Sequence, residues 1–209
     1  MTRKFSGAEL VIATHNAGKI AEITELFQGK AIKLISAAEL GLESPPETGV
    51  TFIENAVLKA QFVARASGKI ALADDSGLCI DALDGAPGVY SADWAEEDGK
   101  PRNFKKAVEK VRAAMGGKID IAKGDSPDKK ARFVSALALC WPDGHCETVE
   151  GFAHGQIVNP PRGQEGHGYD PIFMPDGYSV TYAEMTDDEK NKISHRADAF
   201  RKMMDQCFS

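Results

Sequence analysis

The stretch 70–88 constrains this chain more than any other. Four apolar residues, Ile70, Ala71, Leu72 and Ala73, run into Asp74-Asp75-Ser76-Gly77, and a second apolar run, Leu78-Cys79-Ile80, follows at once. Apolar runs of that length around a polar block predict a strand, a sharp turn and a second strand, with Gly77 supplying the backbone freedom for the turn. Adjacent carboxylates at a strand end repel each other unless positive charge is brought to them. A divalent cation is one solution, because Mg²⁺ takes hard oxygen ligands and often only one or two carboxylates. The same residues also suit an ordinary surface turn. They also suit an aspartic protease, in which two carboxylates share a proton.

Bulk properties narrow the field. The 209 residues fit one large domain or two small ones, and 43% hydrophobic content is enough to build a core rather than a disordered chain. A net charge of -6 argues against non-specific binding to nucleic acid, which needs Lys and Arg to neutralise phosphates. It leaves room for a small anionic substrate in a local basic pocket. Cys79, Cys140, Cys146 and Cys207 form no Cys-x-x-Cys pair and have no His cluster at zinc spacing. They read as buried, reduced thiols of a cytoplasmic protein. The apolar run 10–13 is too short for a signal peptide, and no stretch approaches membrane-spanning length.

Along the chain, residues 9–14 read as a buried strand. The polar turn His15-Asn16-Ala17-Gly18 leads from it into Lys19 and a helix with Ile20, Ile23 and Phe27 on one face. That arrangement points helix-terminal N–H groups at the loop, a site for anions to which Lys19 adds charge. It is not a Walker A loop, whose spacing is missing. Residues 31–36 predict a second strand, and 44–49, with paired prolines and Gly49, a loop carrying Glu47. Thr51 and Glu54 form a capping box that opens a helix to about residue 67. Asn55 and Lys59, at i and i+4, share one side of it, so Lys59 is placed to look toward a site.

Asn103 caps a helix with Phe104, Val108, Val111 and Met115 at helical spacing, and 116–129 reads as a polar, mobile connection. Residues 131–141 and 146–155 predict long strands joined by a hairpin turn at Pro142-Asp143-Gly144. A Gly- and Pro-rich loop over 159–170 ends in His167-Gly168-Tyr169-Asp170, ahead of a short strand at 172–174. Thr186 and Glu189 form a second capping box, opening a helix with Lys190 that leads to Ser194-His195-Arg196. Ala197, Phe200, Met204 and Cys207 make a last apolar face. Strands and helices alternate early and strands dominate later, which predicts an α/β fold with a mixed sheet.

The polar features fall at strand ends, loops and helix starts, where sites on α/β folds sit. Glu47, Asp74 and Asp75 can hold a cation, and Lys19, Lys59, Lys190 and Arg196 an anion. Carboxylates, lysines and a metal together suit phosphoryl chemistry. A single Asp-Ser-Gly and strong helical periodicity weigh against the protease, and a nucleotide-sensing module without turnover is the alternative from another class.

The motifs Thr14-x-Asn16-x-x-Lys19, Thr51-Phe52-Ile53-Glu54-Asn55-Ala56, Ala73-Asp74-Asp75-Ser76-Gly77-Leu78, Gly85-Ala86-Pro87-Gly88-Val89-Tyr90-Ser91, Gly168-Tyr169-Asp170-Pro171 and Ser194-His195-Arg196 occur in this order. Together the chain resembles the inosine/xanthosine triphosphate pyrophosphatase family over nearly its whole length. The resemblance implies hydrolysis of non-standard purine nucleoside triphosphates (ITP, dITP, XTP) to a monophosphate and pyrophosphate with Mg²⁺. It implies one domain over 1–209, a long mixed β-sheet with flanking helices and two lobes around a central cleft, and a cytoplasmic homodimer. It assigns Thr14, His15, Asn16, Ala17, Gly18, Lys19 and Lys59 to the triphosphate. Glu47 and Asp75 hold metal, with Asp75 also the proton acceptor. Ser76, His167, Gly168, Tyr169, Asp170, Lys190, His195 and Arg196 bind substrate. His167 departs from the family, which has Phe or Trp there stacking on the base; imidazole is planar and can stack, but is smaller and can be charged.

Overall fold

Two crossovers open the fold. β1 (Glu9–Ile12) feeds α1 (Ala17–Leu26), which returns to β2 (Lys33–Ser36), and α2 (Phe52–Ser67) crosses back to β3 (Ala71–Ile80). Strands linked by crossover helices pair in parallel, and β1 lies parallel to β2 on one side and to β3 on the other. Then come α3 (Phe104–Gly116), β4 (Lys130–Cys140), β5 (Cys146–Ile157), β6 (Phe173–Pro175), α4 (Asp187–Ile193) and α5 (His195–Met203). One six-stranded sheet runs in the order β2-β1-β3-β4-β5-β6, and β5 and β6 are antiparallel. This is the expected mixed α/β sheet with helices. The computed structural model describes residues 2–97, 100–116 and 129–209; the polar connection expected over 116–129 lies, but for its ends, outside the described residues.

The chain divides into two compact units. The first comprises Met1–Asp75, Ser135–Gly151 and Ala197–Ser209, and the second Ser76–Val134 and Phe152–Arg196. In the first, Leu10, Ile12, Leu72 and Leu137 of the strands meet Ile23 and Phe27 of α1 and Phe200 and Met203 of α5. Phe27 meets Phe200 edge-on at 5.0 Å, a geometry worth about 0.5–1.5 kcal/mol beyond the area it buries. In the second, Val108, Val111 and Met115 of α3 pack against Leu78, Ile80 and Phe133.

Three expectations are corrected. No turn interrupts 70–80: β3 is one ten-residue strand, buried along nearly all its length. The polar block continues the strand because lysines from two helices neutralise its carboxylates. Secondly, the C-terminal apolar face holds the expected Phe200 and Cys207, with Met204 partly buried against them, and gains Ala199 and Met203, while Ala197 is only half-buried; the chain winds as a π-helix over Met204–Phe208. Thirdly, Cys140 and Cys146 form a disulfide, so of the expected reduced thiols Cys79 and Cys207 remain as buried thiols. Trp141 N donates to His145 O at 2.9 Å, and the hairpin brings the two cysteine Cα atoms to 4.2 Å. Cross-strand pairing does this where a scan for Cys-x-x-Cys cannot see it. With that pair oxidised, the thiols no longer argue for a reducing compartment.

Candidate active site

Successive side chains in a strand leave opposite faces. Asp74 and Asp75 therefore meet different partners: Lys19 Nζ of α1 lies 2.7 Å from Asp74 Oδ2, and Lys59 Nζ of α2 donates to Asp75 Oδ1 at 2.9 Å. The carboxylates are buried, at 2% and 6% exposure, where an unneutralised charge would be costly.

Local caps aim both lysines. Asn16 caps α1, its Oδ1 accepting from Gly18 N at 2.9 Å and Lys19 N at 3.2 Å, and Thr14 Oγ1 accepts from Asn16 N. Two amides expected to face an anion are thus taken by the cap, and Ala17 opens the helix. The capping box expected at α2 is present: Thr51 Oγ1 accepts from Glu54 N, and Glu54 Oε2 from Thr51 N. It starts the helix so that Asn55 and Lys59, one turn apart, both reach Asp75, Asn55 Nδ2 donating to Oδ2 at 3.3 Å. Asn55 is not among the residues that the resemblance assigns; its i, i+4 spacing to Lys59 is the signal for it. Lys59 Nζ also donates to Glu47 Oε1 at 3.2 Å. Gly49 N donates to Asn55 Oδ1, and a Cβ on Gly49 would meet that oxygen at 2.6 Å. His15 turns its ring to the 42–49 loop, Nδ1 lying 2.7 Å from Ser44 Oγ and Nε2 2.8 Å from Leu42 O.

The expected cation-holding acids Glu47, Asp74 and Asp75 are therefore paired with Lys19 and Lys59. Burial pulls the Lys59 ammonium down, but Asp75, Asp74 and Glu47 outweigh it and hold it above its ordinary pKa. Burial pushes the Asp75 carboxyl above the usual carboxylate range, with Lys59 opposing and Glu47 reinforcing. An aspartic protease needs a second carboxylate on Asp75; its partners here are Lys59 and Asn55.

The second unit holds the other expected residues. Ser76 follows on β3, half-buried. Buried Asp170 accepts at Oδ2 from His167 N at 2.6 Å and from Lys190 Nζ at 2.5 Å. Gly166, at φ +73°, allows this, since a Cβ there would collide with the Asp170 carboxylate. Tyr169 is buried and donates its hydroxyl to Ser91 O at 2.9 Å, so it and Asp170 support the loop while His167 is exposed and Gly168 lies between them. α4 starts at the expected capping box of Thr186 and Glu189 and carries Lys190. His195 is buried and stacked on Phe133 at 4.9 Å, and Arg196 is half-buried beside it. Ser91 closes the Gly85–Ser91 motif, which gave it no role: its Oγ accepts from Leu78 N and donates to Gly88 O, pinning β3.

The model of the Ham1 family matches residues 10–206. The chain belongs to the Ham1 family. It is 55% identical over 207 residues to a dITP/XTP pyrophosphatase from Rhodospirillum centenum, across 99% of this chain and 98% of that one. Among solved structures, a HAM1 protein from Coxiella burnetii matches with a TM-score of 0.84 at 39% identity, covering 94% of this chain and 96% of the other. The Staphylococcus aureus Ham1 protein matches at 0.81 and 34% identity, covering 94% of this chain and 96% of its own. Among the described residues of this Ham1 chain, no helix is long and apolar enough to cross a membrane.

Proposed function

We propose that this Ham1 chain hydrolyses non-standard purine nucleoside triphosphates (dITP, ITP, XTP) between the α and β phosphates, releasing a monophosphate and pyrophosphate. The observation that carries the reading is the buried Asp74–Asp75 pair on β3, each carboxylate held against a lysine from a different helix. Membership of a family that includes dITP/XTP pyrophosphatases supports it.

The acids fit Mg²⁺. Glu47 and Asp75 already converge on one cation, the Lys59 ammonium. Among the described residues no three His, Cys, Asp or Glu form a closed metal cage. One or two carboxylates plus substrate phosphates is how Mg²⁺ is commonly held. In this proposal Glu47 and Asp75 hold the ion, which supplies charge to neutralise the phosphate oxygens. Lys19 and Lys59 then turn from carboxylates to the phosphate chain. Asp75 takes the proton of the attacking water as the new P–O bond forms, the α–β anhydride bond breaks and pyrophosphate leaves. Arg196, which has only donors, donates to the 6-oxo group of hypoxanthine or xanthine and meets the 6-amino group of adenine donor to donor. His167, exposed on a loop braced by Asp170 and Lys190, stacks on the base. A cytoplasmic homodimer belongs to the same proposal.

Asp75→Asn keeps the side-chain size and removes the proton acceptor. Turnover of dITP at saturating Mg²⁺ should fall by at least about 10²- to 10⁴-fold. Near wild-type turnover would remove Asp75 from the chemistry and the proposal with it.

A further inference from the structure

His15 lies in the turn between β1 and α1, among residues that the resemblance gives to the triphosphate. Yet both of its ring nitrogens are engaged by the loop 42–49, through Ser44 Oγ at 2.7 Å and Leu42 O at 2.8 Å. A carbonyl oxygen only accepts, so Nε2 donates to Leu42 O, while the Ser44 hydroxyl can serve Nδ1 as donor or acceptor. The loop has no regular secondary structure, so side-chain ties give it its shape. Its downstream end is tied to α2, where Asn55 Oδ1 accepts from Gly49 N at 2.8 Å and Glu54 Oε2 from Val50 N at 2.7 Å. Glu47 stands between these ties and those of His15. On the other side of His15, Asn16 caps α1 and Lys19 reaches Asp74.

We propose that His15 is a positioning residue rather than a phosphate contact: through Ser44 and Leu42 it ties the Glu47 loop to the β1–α1 turn and so sets where the Glu47 carboxylate stands. A loop held at both ends presents Glu47 to a cation already ordered. A loop held only from α2, by Asn55, Glu54 and the Lys59–Glu47 pair that the cation must displace, has to be ordered when the cation binds, and that ordering opposes binding. The tie therefore governs how much Mg²⁺ the enzyme needs, and leaves nucleotide affinity at saturating Mg²⁺ unchanged. This kinetic consequence rests on the pyrophosphatase reading; the tie itself does not.

Ser44 separates the two roles, because it touches the His15 ring and has no place in the phosphate-binding set. Ser44→Ala, Ser44→Thr, His15→Ala and the double Ala variant are compared in two measurements. The first is hydrogen–deuterium exchange of residues 42–49 without nucleotide or metal. The second is dITP turnover against Mg²⁺ concentration, with KM for dITP at saturating Mg²⁺. Both single Ala variants should exchange faster over 42–49. They should also raise half-saturating Mg²⁺ by about two- to tenfold, the range of one lost hydrogen bond, at unchanged KM. The double variant should be no worse than His15→Ala, and Ser44→Thr, which keeps the hydroxyl, should behave as wild type. Unchanged exchange in Ser44→Ala would overturn the tie whether or not dITP is a substrate. A raised KM in His15→Ala with normal Ser44→Ala would make His15 a direct phosphate contact. Faster exchange in a protein that hydrolyses no nucleotide would uphold the tie and sink the pyrophosphatase reading alone.

Discussion

The Lys59–Asp75 pair makes a prediction in which its two halves differ. Each side chain is 9% exposed, so the pair is buried, and removing one partner of a buried pair costs about 3–5 kcal/mol. Lys59→Met keeps the aliphatic stem and leaves Asp75 with Asn55 as its remaining close donor. A 209-residue chain shifts about 2–4 °C per kcal/mol, so Tm should fall by about 6–20 °C. Asp75→Asn works the other way. The Asp75 pKa is raised by burial, so the folded chain binds a proton more readily there than the unfolded chain does. Its ionised form therefore lowers stability at neutral pH, and that penalty fades as pH drops through the folded-state value. Removing the charge relieves the penalty and leaves Glu47 for Lys59. Against this, the new side-chain amide faces Asn55 Nδ2 donor to donor, because Asn55 Oδ1 is committed to Gly49 N, a loss of about 1 kcal/mol. The two nearly cancel, so Tm should stay within about 4 °C of wild type while activity collapses. Differential scanning calorimetry in metal-free buffer at neutral pH measures both. If Asp75→Asn melts as low as Lys59→Met, the group is not short of positive charge and the reasoning fails.

Other perturbations test separate parts of the structure. Cys140→Ser, or reduction of the Cys140–Cys146 bridge, opens a loop with a sequence separation of 6; chain entropy puts the loss at about 2 kcal/mol, read as a lower urea midpoint under reducing conditions and unchanged by reductant in the variant. Tyr169→Phe removes the buried hydroxyl that donates to Ser91 O, and should lower stability by about 1–3 kcal/mol in urea titrations without altering the ranking of dITP over ATP. A changed ranking would put the Tyr169 hydroxyl against the base.

Local signals were legible and non-local ones were not. The capping boxes at Thr51 and Thr186, the Pro142-Asp143-Gly144 hairpin and the periodicity of α3 each depend on residues a few positions apart, and each is present. The i, i+4 spacing of Asn55 and Lys59 does put both on Asp75. The Asp74–Gly77 block was misread because its strand character depends on Lys19 and Lys59, which arrive from distant helices. Cys140 and Cys146 look unrelated until strand register sets them opposite each other. The ties of Tyr169 to Ser91 and of His15 to Ser44 span 78 and 29 residues, and no spacing rule reports such pairs. His195 reads as a substrate ligand by motif, while its ring lies stacked on Phe133.

The most direct test is product identity. The purified full chain is incubated with Mg²⁺ and, separately, dITP, ITP, XTP and ATP, and pyrophosphate, orthophosphate and nucleotide products are quantified together. Hydrolysis at the α–β anhydride, with the 6-oxo group as the recognised feature, gives one pyrophosphate and one monophosphate per dITP, ITP or XTP consumed, with ATP slower by a factor that can reach about 10⁴. Orthophosphate with a nucleoside diphosphate, or ATP turned over as fast as ITP, would contradict it.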